Sequence, residues 1–156
     1  MNPTTSNFAT EMADAPTITV LLVDDQIMVA EVVRRLLASE TDIAFHYCTN
    51  ALEAIDLANQ IRPAVILQDL IMPNVNGLAM VRRFRANLTT KTTPIVVLSS
   101  KDDPIFKQDA LTSGANDYLV KPPDPAVLVA CIRQHAQASS EQLNPPCLPA
   151  RTSVMP

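Results

Sequence analysis

The chain has 156 residues, of which 47% are hydrophobic and 18% charged, with a formal net charge of −4. That apolar content excludes wholesale disorder, and the length suits one domain with a substantial core. The acidic balance argues against nucleic-acid binding, which needs a basic stripe to displace counterions; Arg82, Arg83 and Arg85, the one dense basic cluster, read as a solvated helix face.

Residues 1–16 are polar and aperiodic, without the basic flank and apolar stretch of a secretory leader, and read as a flexible tail on a cytoplasmic protein. Ile18 to Val23 (ITVLLV) is a short apolar run, as expected of a strand covered on both faces. From residue 27 to 38 the period changes: Val29, Val32, Val33, Leu36 and Leu37 fall on one helical stripe. Ile43, Phe45 and Tyr47 alternate with Ala44, His46 and Cys48, which predicts a half-exposed edge strand. Asn50 is placed to cap a helix ending near Gln60, with Glu53 at the capping-box position. AVILQD (64–69) and PIVVLS (94–99) are two more buried strands, with a helix around Leu78 to Arg85 between them.

Asp103-Pro104 and Asp124-Pro125 each set an N-cap before a proline at the first helical position. The first of these helices should end at Gly114, and a short strand, Asp117 to Val120, should follow it. The second should run from Pro125 to about Gln137, with Leu128 and Ile132 facing inward. From 139 to 156 the prolines Pro145, Pro146, Pro149 and Pro156 break any periodicity, and the segment reads as a disordered tail. The domain is therefore expected over residues 17–138. Gly77 and Gly114, the two glycines of the chain, lie where a positive φ is useful. No apolar run reaches the roughly 18 residues of a membrane span. Cys48, Cys131 and Cys147 are odd in number and widely spaced, reading as neither a disulfide framework nor a zinc site, in keeping with a reducing compartment.

Five strands alternating with five helices predict an α/β fold, a doubly wound (βα)5 sandwich around a parallel five-stranded sheet. Polar residues cluster at the carboxyl ends of four of those strands. Asp24 and Asp25 end the first, Asp69 the third, Ser99 and Ser100 the fourth, and Lys121 follows the fifth. With strand order 2-1-3-4-5 they converge on the crevice where such sheets bind ligands. Three carboxylates in one crevice repel one another unless neutralised, and an all-oxygen set without His or Cys suits Mg²⁺ better than zinc. A lysine and a hydroxyl at the rim then complete a site for phosphoryl transfer to an aspartate.

VLLVDDQ, VILQDLIMPNVNG, PIVVLSS and GANDYLVKP resemble the successive motifs of response-regulator receiver domains of two-component systems, whose fold is flavodoxin-like. Asp69 lies 44 residues after Asp25, Ser99 lies 30 after Asp69, and Lys121 lies 52 after Asp69, matching the family's offsets. The resemblance covers residues 17 to 138. In wording (ANQIRPAVILQDL, GANDYLVK) it is closest to the receiver half of WspR-type regulators, in which a GGDEF diguanylate cyclase follows.

The resemblance implies the following roles. Asp69 is the phospho-acceptor. Asp25, Asp69 and the backbone carbonyl of Ile71 ligate Mg²⁺, and Asp24 acts through a bound water. Ser99 and Lys121 bind the phosphoryl group, and Tyr118 changes rotamer as the switch residue. Pro73 and Gly77 shape the loop after the acceptor, and the Lys121–Pro122 bond is cis. The implied partners are a sensor histidine kinase and an output protein, an output domain or a second copy, engaged through the fourth helix, fifth strand and fifth helix. The receiver is not an enzyme beyond its own phosphoryl uptake and autodephosphorylation. Ile71 and Lys101, two residues after the acceptor and after Ser99, occupy positions that bear on dephosphorylation rate in the family.

Taken singly, these residues have plainer readings: Asp24-Asp25 as a helix cap, Ser99 as a turn residue, Lys121 as a surface lysine, Tyr118 as core. Their joint placement favours the phosphoryl site. His46 and His135 read as exposed, and Met28, Met72 and Met80 as packing. A haloacid-dehalogenase-like phosphatase also uses a strand-end aspartate with Mg²⁺, but needs a second aspartate where this chain has Ile71. A flavodoxin-like cofactor binder would need its first loop to cradle a phosphate, which Asp24-Asp25 would repel. A receiver-like interaction module without phosphorylation is the third alternative.

Overall fold

The computed structural model describes residues 17–143. Its main elements are β1 (Ile18–Val23), α1 (Ile27–Leu36), β2 (Ile43–Cys48), α2 (Ala54–Ile61), β3 (Val65–Asp69), α3 (Gly77–Ala86), β4 (Ile95–Ser99), α4 (Pro104–Ser113), β5 (Asp117–Val120) and α5 (Pro125–Leu143). The five strands form one sheet in the order β2-β1-β3-β4-β5, and every pairing is parallel. This is the doubly wound sandwich that the alternation of periods predicts.

The sheet is covered on both faces, so alternate residues of one strand enter different cores. Leu21, Val23, Ile66, Ile95 and Val97 pack with Met80, Val81 and Phe84 of α3 on one side. Val20, Leu22, Leu67, Val96 and Leu98 pack with Ala30 and Val33 of α1 and Leu128 and Ile132 of α5 on the other. Each such large side chain contributes about 1.5–3 kcal/mol by leaving water. All five positions of β3 and of β4 are buried, and both strands run apolar until the polar residues at their carboxyl ends.

The proline-marked helix starts form as expected. Asp103 Oδ1 accepts from the Ile105 N–H at 2.8 Å, and Asp124 Oδ1 accepts from the Ala126 N–H at 2.9 Å. α4 ends at Gly114 with φ 120°.

Several local expectations are corrected. Val32 is exposed, because the buried stripe of α1 runs through Ala30 and Val33 instead. Tyr47 is exposed while Cys48 is buried, because Cys48 turns into the α2–α4 core where β2 ends. Asn50 caps a 3-10 turn (Ala51–Glu53) through the Leu52 N–H rather than that of Glu53. Met28 is 71% exposed, since it lies off the α1 stripe. α5 continues to Leu143, taking up the first five residues expected to be tail; nothing between Gln137 and Leu143 breaks a helix. Residues 1–16 and 144–156, with Cys147, lie outside the described residues.

Gly77 is needed for space rather than for a positive φ. A Cβ there would sit 2.3 Å from the Asp69 carbonyl oxygen and 2.5 Å from that of Leu70. The left-handed position in this loop is taken by Asn74, at φ 66°.

Candidate functional site

Strand register decides what meets at the top of the sheet. Val23 stands beside Gln68, Asp69 beside Leu98, and Ser99 beside Val120. The next residues along each chain are therefore level, and Asp24, Asp25 and Asp69 bring carboxylate oxygens within 4.8 Å of one another. Asp24, Asp69 and Ser99 are buried, with relative exposures of 1%, 5% and 1%, whereas Asp25 is half-buried. Lys121 reaches across the opening: its Nζ donates to Asp24 Oδ2 at 2.7 Å and to Asp69 Oδ1 at 3.0 Å. The Lys121–Pro122 peptide bond is cis, as the resemblance implies.

One ammonium faces three carboxylates. Burial, and then the charge of Asp24, push the Asp69 carboxyl above the usual aspartate range, against the pull of Lys121. Burial disfavours the Lys121 ammonium too, but its hydrogen bonds to Asp24 and Asp69 outweigh this and hold it above the usual lysine range. The donor set is all oxygen, compact and short of positive charge, which fits a hard divalent cation such as Mg²⁺.

The backbone around Asp69 is tightly held. Gln68 Nε2 donates to the Asp69 carbonyl at 3.0 Å, and the Gly77 N–H donates to the Leu70 carbonyl at 3.0 Å. A two-residue ribbon pairs Ile71 with Asn76 and Met72 with Val75, leaving the Ile71 side chain on the surface.

Ser99 and Tyr118 converge on one residue that the sequence reading connected only with dephosphorylation. The Lys101 N–H donates to Ser99 Oγ at 3.1 Å, and the Tyr118 hydroxyl donates to the Lys101 carbonyl at 2.6 Å. Tyr118 is buried, so its ring points inward in this structure.

The family model for the response regulator receiver domain matches residues 20–133. The chain belongs to the response-regulator receiver family. Transcriptional regulatory protein SrrA of Staphylococcus aureus is 32% identical over 130 residues, which are 81% of this chain and 52% of that protein. The receiver thus spans about half the length of the curated relatives it matches. A putative response regulator from Chloroflexus aurantiacus superposes with a TM-score of 0.73 at 30% identity, over 78% of this chain and 99% of that one. Chemotaxis protein CheY4 of Vibrio cholerae gives 0.70 at 30% identity, over 76% and 98%.

Three further residues of the receiver, at the other end of the sheet, depart from their sequence reading. Arg85 is half-buried rather than solvated: it donates to the carbonyls of Gly114 (3.0 Å) and Thr93 (2.6 Å) and to Asn116 Oδ1 (2.6 Å). His135 is turned inward, with Nε2 3.1 Å from Asp117 Oδ2. Cys131 joins the same carboxylate, Sγ to Oδ2, at 3.6 Å. The signal available for the last two was the i, i+4 spacing of Cys131 and His135, which puts them on one face of a helix.

Proposed function

We propose that this receiver accepts a phosphoryl group on Asp69 from a sensor histidine kinase and transmits the change through α4, β5 and α5. The observation that carries the reading is Lys121 Nζ bridging Asp24 and Asp69 beside a third carboxylate. The ionised Asp69 carboxylate attacks phosphorus, the bond to the donor breaks, and the donor leaves with that bond's electron pair. An acyl phosphate on Asp69 results. Lys121 offsets charge on the transferring oxygens and the Ser99 hydroxyl donates to one of them.

Asp25, Asp69 and the Ile71 carbonyl would hold Mg²⁺, with Asp24 one water away. The ion supplies charge neutralisation for carboxylates that otherwise repel one another. The domain unit comprises residues 17–138 with the remainder of α5 to Leu143, acting in the cytoplasm where the kinase's phosphorylated domain would meet it.

Readout follows from the Lys101 link. If Ser99 turns its hydroxyl to the phosphoryl group, the Lys101 N–H loses its acceptor and the loop holding Tyr118 shifts. Tyr118 and its loop border α4 at Asp103, Pro104 and Lys107, so the face offered to an output domain, a partner or a second copy changes. Such coupling is typically worth about 1–3 kcal/mol.

Acetyl phosphate with Mg²⁺, read by intact mass, tests the acceptor. Wild type should gain one phosphoryl group and Asp69→Asn none; an equal gain in both removes Asp69 from the role. The surface position of Ile71, with no acid two residues after the nucleophile, disfavours the phosphatase reading.

A further inference from the structure

Away from the acidic crevice, Asp117 at the start of β5 and Cys131 and His135 on α5 place one ligand atom each within 4.8 Å of one another. We propose that these three residues bind a borderline-soft divalent metal ion of the zinc class, with a fourth position open to water.

The spacing of the donor atoms is the first argument. Bonds of about 2.0–2.3 Å at tetrahedral angles put neighbouring donors roughly 3.3–3.7 Å apart. Asp117 Oδ2 lies 3.1 Å from His135 Nε2 and 3.6 Å from Cys131 Sγ. Both distances from the carboxylate are thus within a few tenths of an ångström of that range, and Cys131 Sγ and His135 Nε2 lie within 4.8 Å of each other. Topology is the second: Cys131 and His135 are four residues apart on one face of α5, and the edge strand delivers the third ligand beside them. Orientation is the third. Asp117 Oδ1 accepts from the Tyr118 N–H at 2.9 Å, which fixes the carboxylate as outer hydrogen bonds commonly fix metal ligands.

Access also fits. The Asp117 and His135 side chains are 43% and 16% exposed, while Cys131 packs into the core beneath them. An ion can arrive from solvent and find the sulfur at the floor of the site. On coordination the Cys131 thiol gives its proton to solvent and its sulfur binds the ion, with no change of oxidation state. A thiolate and an imidazole select zinc-class ions, whereas the oxygen-only crevice at the other end of the sheet suits hard cations. The two sites can be filled together by different metals. A bound ion would clamp the edge strand that leads to Tyr118 and Lys121 onto α5.

Co²⁺ is the probe, added to the full chain carrying Cys48→Ala and Cys147→Ser, with excess Mg²⁺ to occupy the carboxylate crevice. The expected result is a thiolate-to-cobalt charge-transfer band saturating at one equivalent and bleached by one equivalent of Zn²⁺. Adding Cys131→Ser should abolish it, and His135→Gln or Asp117→Asn should weaken binding at least about tenfold. Circular dichroism confirms that each variant is folded. If the band is missing before any ligand is changed, or persists unweakened in both His135→Gln and Asp117→Asn, the trio is a hydrogen-bonded cluster and the proposal fails.

Discussion

The two ends of the sheet treat charge in opposite ways. At the carboxyl ends of the strands, Asp24 and Asp69 share the ammonium of Lys121 with Asp25 close beside them, and Asp69 is held above its usual range. At the amino ends, Arg85 gathers carbonyls of the segments that enter β4 and β5, and Arg133 on α5 pairs with Glu40 and Asp42 before β2. The satisfied end ties elements together. At the other end burial and neighbouring charge disfavour the ionised Asp69, which suits that end to an added cation.

The comparison breaks most visibly at Arg85. Arg85→Ala removes the side-chain donor to the Thr93 and Gly114 carbonyls and leaves Asn116 Oδ1 with the Ile95 N–H alone. The expected cost is about 3 kcal/mol, roughly 6–12 °C in melting temperature. Phosphoryl uptake by the folded fraction should be unchanged, and a comparable loss of uptake would show that the two ends are not separable.

Mg²⁺ should act on the other end with the opposite sign. At a hundredfold excess over its dissociation constant, binding to the native state alone adds about 2.7 kcal/mol, or roughly 5–10 °C. Thermal melts should show this rise in wild type and little of it in Asp25→Ala. An undiminished rise in Asp25→Ala would place the ion elsewhere.

Tyr118→Phe removes the hydroxyl that donates to Lys101. Because Lys101 is exposed and water can replace the donor, about 1 kcal/mol or 2–4 °C is expected. Phosphoryl uptake should persist while phosphorylation-dependent association weakens, as read by light scattering.

The smallest effect sharpens the sign. A carboxyl whose folded pKa is raised destabilises the fold while ionised and costs nothing once protonated in both states. In Mg²⁺-free buffer at neutral pH, Asp69→Asn should therefore melt slightly above wild type. The difference should shrink as pH falls through the raised Asp69 range and vanish below about 3.9, the ordinary aspartate value. A variant less stable than wild type at neutral pH would mean that the Lys121 bond outweighs burial and repulsion.

What the sequence determined by itself was whatever rests on local period and spacing. The largely apolar runs ITVLLV, VILQD and IVVLS specify strands covered on both faces, and proline after aspartate marks two helix starts. Parallel topology then forces the polar residues at the carboxyl ends of the strands into one crevice, so Asp24, Asp25, Asp69, Ser99 and Lys121 were legible in the sequence. What only the tertiary structure decided depends on distance across the chain. Arg85 looked solvated because its acceptors lie 5 to 31 residues away, on loops that meet it only after packing. His135 and Cys131 met Asp117 because β5 is the edge strand that α5 folds back against. The inward ring of Tyr118 and its bond to Lys101 depend on how the β4–α4 loop closes, which no periodicity encodes. Gly77 shows the same division: its lack of a side chain is plain in the sequence, but the Asp69 carbonyl that requires it is close only in the folded chain.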